Sequence, residues 1–156
     1  MKQQRFNNLI KLTRLWAFNN YIVIDTDGLT IIDTNLPGSA SGILEAAGQL
    51  DQPIKYIIAT HSHNDHVASL DELAEQVPDA EIIVSEREAP ILAGDLQLLP
   101  DEPQSKMSGS YTTCSTTPTR TVNDGDMIGS LRVIAAPGHT PGHIALLDTR
   151  DNTLIA

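Results

Sequence analysis

Cysteine is nearly absent: Cys114 is the only one in 156 residues. A lone thiol excludes an internal disulfide framework and any cysteine-rich structural zinc site, and it suits a reducing compartment. Basic residues are scarce too, with 10 Lys and Arg against 20 Asp and Glu and a net charge of −10. A nucleic-acid-binding domain normally carries the opposite surface, so no nucleic-acid partner is expected. Long apolar runs are missing, and none approaches the roughly 18 residues of a membrane span. The N-terminal MKQQRFNNLIKLTRLWAFNNYIVID is interrupted by polar residues every few positions. It lacks the apolar core and small-residue cleavage site of an export signal, so the expected setting is cytoplasmic, with no membrane partner. The remaining composition, 40% hydrophobic and 19% charged, is globular and rules out disorder and collagen-like architectures. The length suits one domain over residues 1–156 with a real core.

Hydropathy patterning predicts a mixed α+β chain. Tyr21–Ile24 and Leu29–Ile32 are β-branched-rich runs around Asp25-Thr26-Asp27-Gly28, a hairpin signal because the Asp-Gly pair tolerates positive φ. Apolar residues at helical spacing predict a helix from about Ser41 to Leu50, with a serine available as its cap. Ile54–Thr60, a continuous apolar run after Pro53, reads as a buried strand. A helix from Ser69 to Val77, a strand at Ile82–Ser85 and a short helix at Glu86–Ala93 follow. Gly94–Arg120 is rich in Pro, Ser, Thr and Gly; so long a loop is either functional or a plain surface excursion. Strand signals resume at Met127-Ile128 and Leu131–Ala135 after the Asn123-Asp124-Gly125-Asp126 turn, and again at Ile144–Leu147. Leu154-Ile155-Ala156 has the look of a strand beginning.

All five histidines fall in two windows, 61–66 and 139–143. The first, His61-Ser62-His63-Asn64-Asp65-His66, directly follows a buried strand, where a rigid scaffold hands side chains to a loop. Three imidazoles and a carboxylate within six residues suit Zn, Fe or Mn. Residues two apart in a loop, His61 and His63, can aim at one ion. The adjacent Asp65 and His66 reach that ion poorly and point to a second. In the other window, glycines and prolines around His139 fix a tight turn, which suits a third ligand and an open fourth position for water. His143 is expected to support a ligand or the turn rather than bind metal. A chance polar loop or a pH-sensing cluster explains the distant second window less well.

The string Thr60-His61-Ser62-His63-Asn64-Asp65-His66 resembles the H-x-H-x-D-H signature of the metallo-β-lactamase superfamily. The Leu29–Asp33 strand ending in Asp-Thr, the Asn-Asp-Gly-Asp turn and Pro137-Gly138-His139-Thr140-Pro141-Gly142-His143 occur in the matching order, over roughly residues 19–156. The resemblance implies an αβ/βα sandwich with a dinuclear site at one edge. It implies that His61, His63 and His139 hold metal one, that Asp65 and His66 contribute to metal two, and that Asp33 buttresses the metal loop. Zinc is the implied metal, two ions in a complete domain, with iron or manganese as alternatives. The family consists mostly of hydrolases of thioesters, lactones, β-lactams or phosphodiesters, with glyoxalase II-like enzymes and acyl-homoserine lactonases among them. A metal-activated water attacks the substrate, and Asp65 is the expected catalytic residue that orients it.

Departures from the family pattern qualify that reading. Val67-Ala68-Ser69 stands where the family often has glycines, a mild change. The Gly-Asp pair expected just after Leu154-Ile155-Ala156, and a still later His, do not occur in this sequence. The expectation is thus the N-terminal part of the sandwich, with most of the second sheet missing and weak or no activity as this chain alone. A half-sandwich would bare an apolar sheet face, so a homo-oligomer or a missing C-terminal half is expected as partner, beside a small-molecule substrate. The leading expectation is a hydrolase of ester-type substrates. The rivals are a non-catalytic metal-binding or interaction module and an iron-dependent oxidoreductase of the same superfamily.

Overall fold

The structure, a computed structural model, describes residues 1–156 as two stacked β-sheets with helices against one of them. The larger sheet follows chain order from β1 (Lys2–Phe6), β2 (Leu9–Arg14), β3 (Phe18–Asp25) and β4 (Gly28–Ile32) to β5 (Ile54–Ile58), β6 (Glu81–Ser85) and β7 (Arg120–Val122). Its first four strands are an antiparallel meander, and β5, β6 and β7 add in parallel. The predicted hairpin is β3–β4. Gly28 is required there: its φ is +145°, and a Cβ would stand 2.8 Å from the Pro53 carbonyl oxygen.

Parallel neighbours need crossover connections. Helix α1 (Ala40–Gly48) links β4 to β5, α2 (Asn64–Val67) and α3 (Leu70–Gln76) link β5 to β6, and α4 (Glu88–Leu92) follows β6. The predicted helices are found with slightly shifted ends, but no serine caps α1. Ser39 precedes it, and its hydroxyl instead accepts a hydrogen bond from Arg14 Nη1 at 2.7 Å. The β1–β2 hairpin and β7 were not legible. β1 is exposed throughout, so it lacks an apolar alternation, and β7 has only three residues.

Alternation along the central strands divides the core in two. Ile22, Ile31, Ile57 and Ile82 face the helices, whereas Val23, Ile32, Ile58 and Ile83 face the second sheet. A sheet buried on both faces explains why β4 and β5 read as continuous apolar runs. The second sheet is antiparallel, in the order β11 (Thr153–Ile155), β10 (Ile144–Asp148), β9 (Leu131–Ala135), β8 (Met127–Ile128). Leu131, Val133, Ile144, Leu146 and Ile155 pack from it onto the larger sheet. These four strands cover the first sheet. The apolar sheet face left uncovered is the outer side of the second sheet, where Leu154 is 59% exposed beside half-buried Leu147 and Ile134.

Asp25 locks the sheets together. From the β3–β4 turn its carboxylate accepts the Ser130 backbone N–H at 2.8 Å, and Arg150 approaches it at 3.5 Å while donating to the Ile24 carbonyl. Burial opposes ionisation of Asp25, but hydrogen bonds from Thr26 and Ser130 and the charge of Arg150 outweigh it and hold its pKa below the ordinary 3.8. A depressed carboxylate contributes stability above its unfolded pKa and loses it as pH falls through the folded one. Asp25→Asn should lower the melting temperature at pH 7 by about 2–4 °C, the shift of roughly 1 kcal/mol in a chain of this size. In thermal melts from pH 7 downward the gap between parent and variant should be constant at first and then narrow progressively as the pH falls below about 3.8. A gap that does not narrow on acidification below that point would contradict the lock.

Candidate metal centre

The site forms where three adjacent parallel strands end. Asp33 follows β4, Thr60 to His66 follow β5, and Glu88 lies three residues beyond β6. Ligand sites in open α/β sheets gather at such carboxyl ends. The β9–β10 connection of the second sheet brings His139 and His143 to the same place.

Asp33 shapes the first histidine loop. It has left-handed backbone, φ 61°, and is 3% exposed. Its carboxylate accepts the Thr60 backbone N–H at 2.8 Å, the Thr60 hydroxyl at 2.9 Å and His66 Nδ1 at 2.7 Å. These bonds fix ring tautomers. A Thr60 hydroxyl that donates to Asp33 can only accept from His61 Nδ1, 3.1 Å away, so the lone pair of His61 is on Nε2. His66, which donates Nδ1–H to Asp33, likewise presents Nε2. Burial alone would lower the pKa of His66, yet the hydrogen bond and charge of Asp33, with Asp65, raise it.

His63 is oriented by the Ser/Thr-rich loop, which has no regular structure between α4 and β7. The Ser108 carbonyl accepts His63 Nε2–H at 3.0 Å, leaving the lone pair on Nδ1, and Nδ1 lies 3.0 Å from His139 Nε2. Tyr111 stacks edge-on against the His63 ring at 4.6 Å. Gly109 permits this approach, since a Cβ there would stand 2.3 Å from His63 Nε2. The loop is pinned by Asp71, which accepts backbone and hydroxyl hydrogen bonds from both Ser115 and Thr116 at 2.6–2.9 Å. Of the two readings of this segment, the structure favours a wall of the site over a surface excursion.

One nitrogen from each of His61, His63 and His139 lies within 4.8 Å of the others. His61 is 2% exposed, and its Nε2 has no hydrogen-bond partner at all. A buried lone pair without a donor is costly unless something else occupies it, and a divalent metal fits. Burial, reinforced by the neighbouring His66, His143, His63 and His139, pushes the pKa of His61 down to about 2, which favours the neutral imidazole that a metal could use. Burial also lowers His63. Asp65 and His66 stand beside this cluster. The His61 and His66 rings are 4.0 Å apart, and Asp65 Oδ2 lies 3.6 Å from His66 Nε2. His143 stays outside the three-nitrogen group, its ring edge-on to His61 at 4.9 Å.

The sequence profile of the Metallo-beta-lactamase superfamily matches residues 14–156. The chain belongs to that superfamily. It is 46% identical over 143 residues to the Bacillus subtilis protein YobT, covering 91% of this chain and 61% of that one. It is 28% identical over 147 residues to a hydroxyacylglutathione hydrolase of Aliivibrio fischeri, covering 89% and 47%. Its fold is similar to that of BJP-1, a subclass B3 metallo-β-lactamase of Bradyrhizobium japonicum, with a TM-score of 0.71, 26% identity and coverage of 92% and 54%. The chain thus spans 47–61% of the length of these superfamily proteins.

Sequence reasoning missed two contributors, Ser108 and Glu88. Nothing in a loop sequence marks a carbonyl that binds an imidazole. Glu88 had a signal: with Ile91 and Leu92 it occupies the buried face of α4, where a carboxylate needs a purpose. Asp33 is the more exacting support, because its removal leaves the Thr60 N–H and His66 Nδ1 unsatisfied. Asp33→Ala should cost about 2–4 kcal/mol in urea unfolding with chelator present, whereas Asp65→Ala, half exposed, should stay within about 0.5 kcal/mol. Equal effects would contradict the assigned roles.

Proposed function

We propose that this chain carries the metal-binding region of a metal-dependent hydrolase acting on ester-type substrates, thioesters or lactones foremost, in the cytoplasm. The observation that carries the reading is the unpartnered, buried His61 Nε2, grouped with His63 Nδ1 and His139 Nε2, whose only bond on that side is to each other. The first ion, zinc in this proposal, would be held by His61 Nε2, His63 Nδ1 and His139 Nε2, and a second by Asp65 and His66 Nε2. When bound, the metal supplies Lewis acidity toward a carbonyl and lowers the pKa of water. The relative named hydroxyacylglutathione hydrolase supports the ester-type substrate class.

The chain's own residues do the rest. Asp33 and Ser108 each hold one ring proton, so His66 and His63 offer their other nitrogens without a tautomer change. Asp65, with 43% of its side chain exposed beside His66, orients the attacking water. A cavity of about 350 Å³ opens beside His139, between Lys106, Met107 and Ser108 on one side and Pro137, Gly138 and Pro141 on the other. It is the space for the substrate, and the pinned 94–119 loop forms its wall.

Elemental analysis after zinc loading and desalting should find at least one zinc per chain. His61→Ala, His63→Ala and His139→Ala should each lose it, while Asp65→Ala should retain one. A panel of thioester, lactone and simple ester substrates should then show zinc-dependent turnover that His61→Ala reduces at least 10-fold. Zinc content unchanged by all three histidine variants would overturn the reading.

A further inference from the structure

We propose that Glu88 is a positioning residue of the metal site: its carboxylate clamps the two histidine loops together and supplies the negative charge that the imidazoles lack. The inference rests on the metal-binding reading above. Oε1 accepts the Ser62 backbone N–H at 2.7 Å, and Oε2 accepts the Thr140 hydroxyl at 2.9 Å. Ser62 lies between His61 and His63, and Thr140 is next to His139. One side chain therefore reaches the immediate neighbour of every residue in the three-nitrogen group, across loops 76 residues apart in sequence.

The surroundings are built for this contact. Glu88 is 0% exposed, and no Lys, Arg or His pairs with it. Ser85 Oγ donates to the Gly142 carbonyl at 2.6 Å and accepts the Glu88 N–H at 3.0 Å, tying the start of α4 to the second loop. Gly142 leaves the room, since a Cβ there would stand 2.4 Å from the Glu88 nitrogen and 2.6 Å from Oε2. A buried carboxylate with hydrogen bonds but no cation is an expensive arrangement for stability alone. Three neutral imidazoles around a divalent ion leave its charge uncompensated in a low-dielectric setting, and a nearby buried anion offsets it. The two costs offset each other when the metal is present, and Glu88 then adds to the charge of Asp33 and Asp65 beside His66.

The inference separates metal affinity from stability. Zinc affinity would be measured by chelator competition, and metal-free melting temperature alongside, for the full chain, Glu88→Gln, Thr140→Val and Ser85→Ala. Glu88→Gln keeps the shape and removes the charge, so it should bind zinc 10–100-fold more weakly while its metal-free melting temperature stays equal or rises. Thr140→Val cuts one arm of the clamp and should weaken zinc several-fold. Ser85→Ala, which leaves the carboxylate in place, should lower stability more than affinity. Zinc affinity of Glu88→Gln within twofold of the parent overturns the proposal, as does a loss matched by an equal loss of metal-free stability. Should Glu88→Gln fail to fold, Thr140→Val decides: affinity within twofold overturns the clamp. A parent chain that binds no zinc overturns the metal-site reading itself, an outcome distinct from the others.

Discussion

The Asp33 carboxylate accepts the Thr60 N–H, the Thr60 hydroxyl and His66 Nδ1, and the first histidine loop takes its shape from those bonds. Each bond has a consequence at the site. The Thr60 contact passes through the hydroxyl to His61 and leaves a bare Nε2 in the interior. The His66 contact turns the opposite nitrogen of that ring toward Asp65. A single carboxylate at the end of β4 thus sets two ring tautomers that no metal is needed to select. Its own backbone, in the left-handed region, is a sign that the chain bends to deliver it.

The two-sheet architecture makes this possible. Asp33, the histidine loop and Glu88 come from successive parallel strands, whose ends are in register because the strands pair directly. His139 comes from the other sheet, and the apolar layer between the sheets fixes how closely it approaches. The Asp25 and Arg150 contacts guard the same distance at the opposite end of the sandwich. The loop that supplies Ser108 completes the enclosure of His63, and Asp71 keeps that loop from moving away.

Much of this was legible in the sequence because the deciding residues are local. Strand β5 and the following histidines are contiguous, so the histidine loop could be read directly, and the Pro-Gly-His-Thr-Pro-Gly-His string announced its own turn. The superfamily resemblance also placed Asp33 as a buttress, and its three acceptor bonds match that role. What stayed hidden depends on contacts between distant segments. β1 has no buried residue to betray it, β7 is too short for a pattern, and Ser108 acts through its backbone. All four strands of the second sheet had a local signal, but that they pair with one another and cover the first sheet follows only from contacts between the layers.

His61, His63 and His139 form one metal site in this reading, through the unpartnered His61 Nε2 and the His63 Nδ1 and His139 Nε2 atoms that bond only each other there. Zinc K-edge X-ray absorption on the chain loaded with one equivalent of zinc tests it most directly. The expected spectrum has a first shell of nitrogen and oxygen at about 2.0–2.1 Å with the outer-shell scattering of three imidazoles. A shell with one imidazole or none, or with sulfur from Cys114, would contradict it.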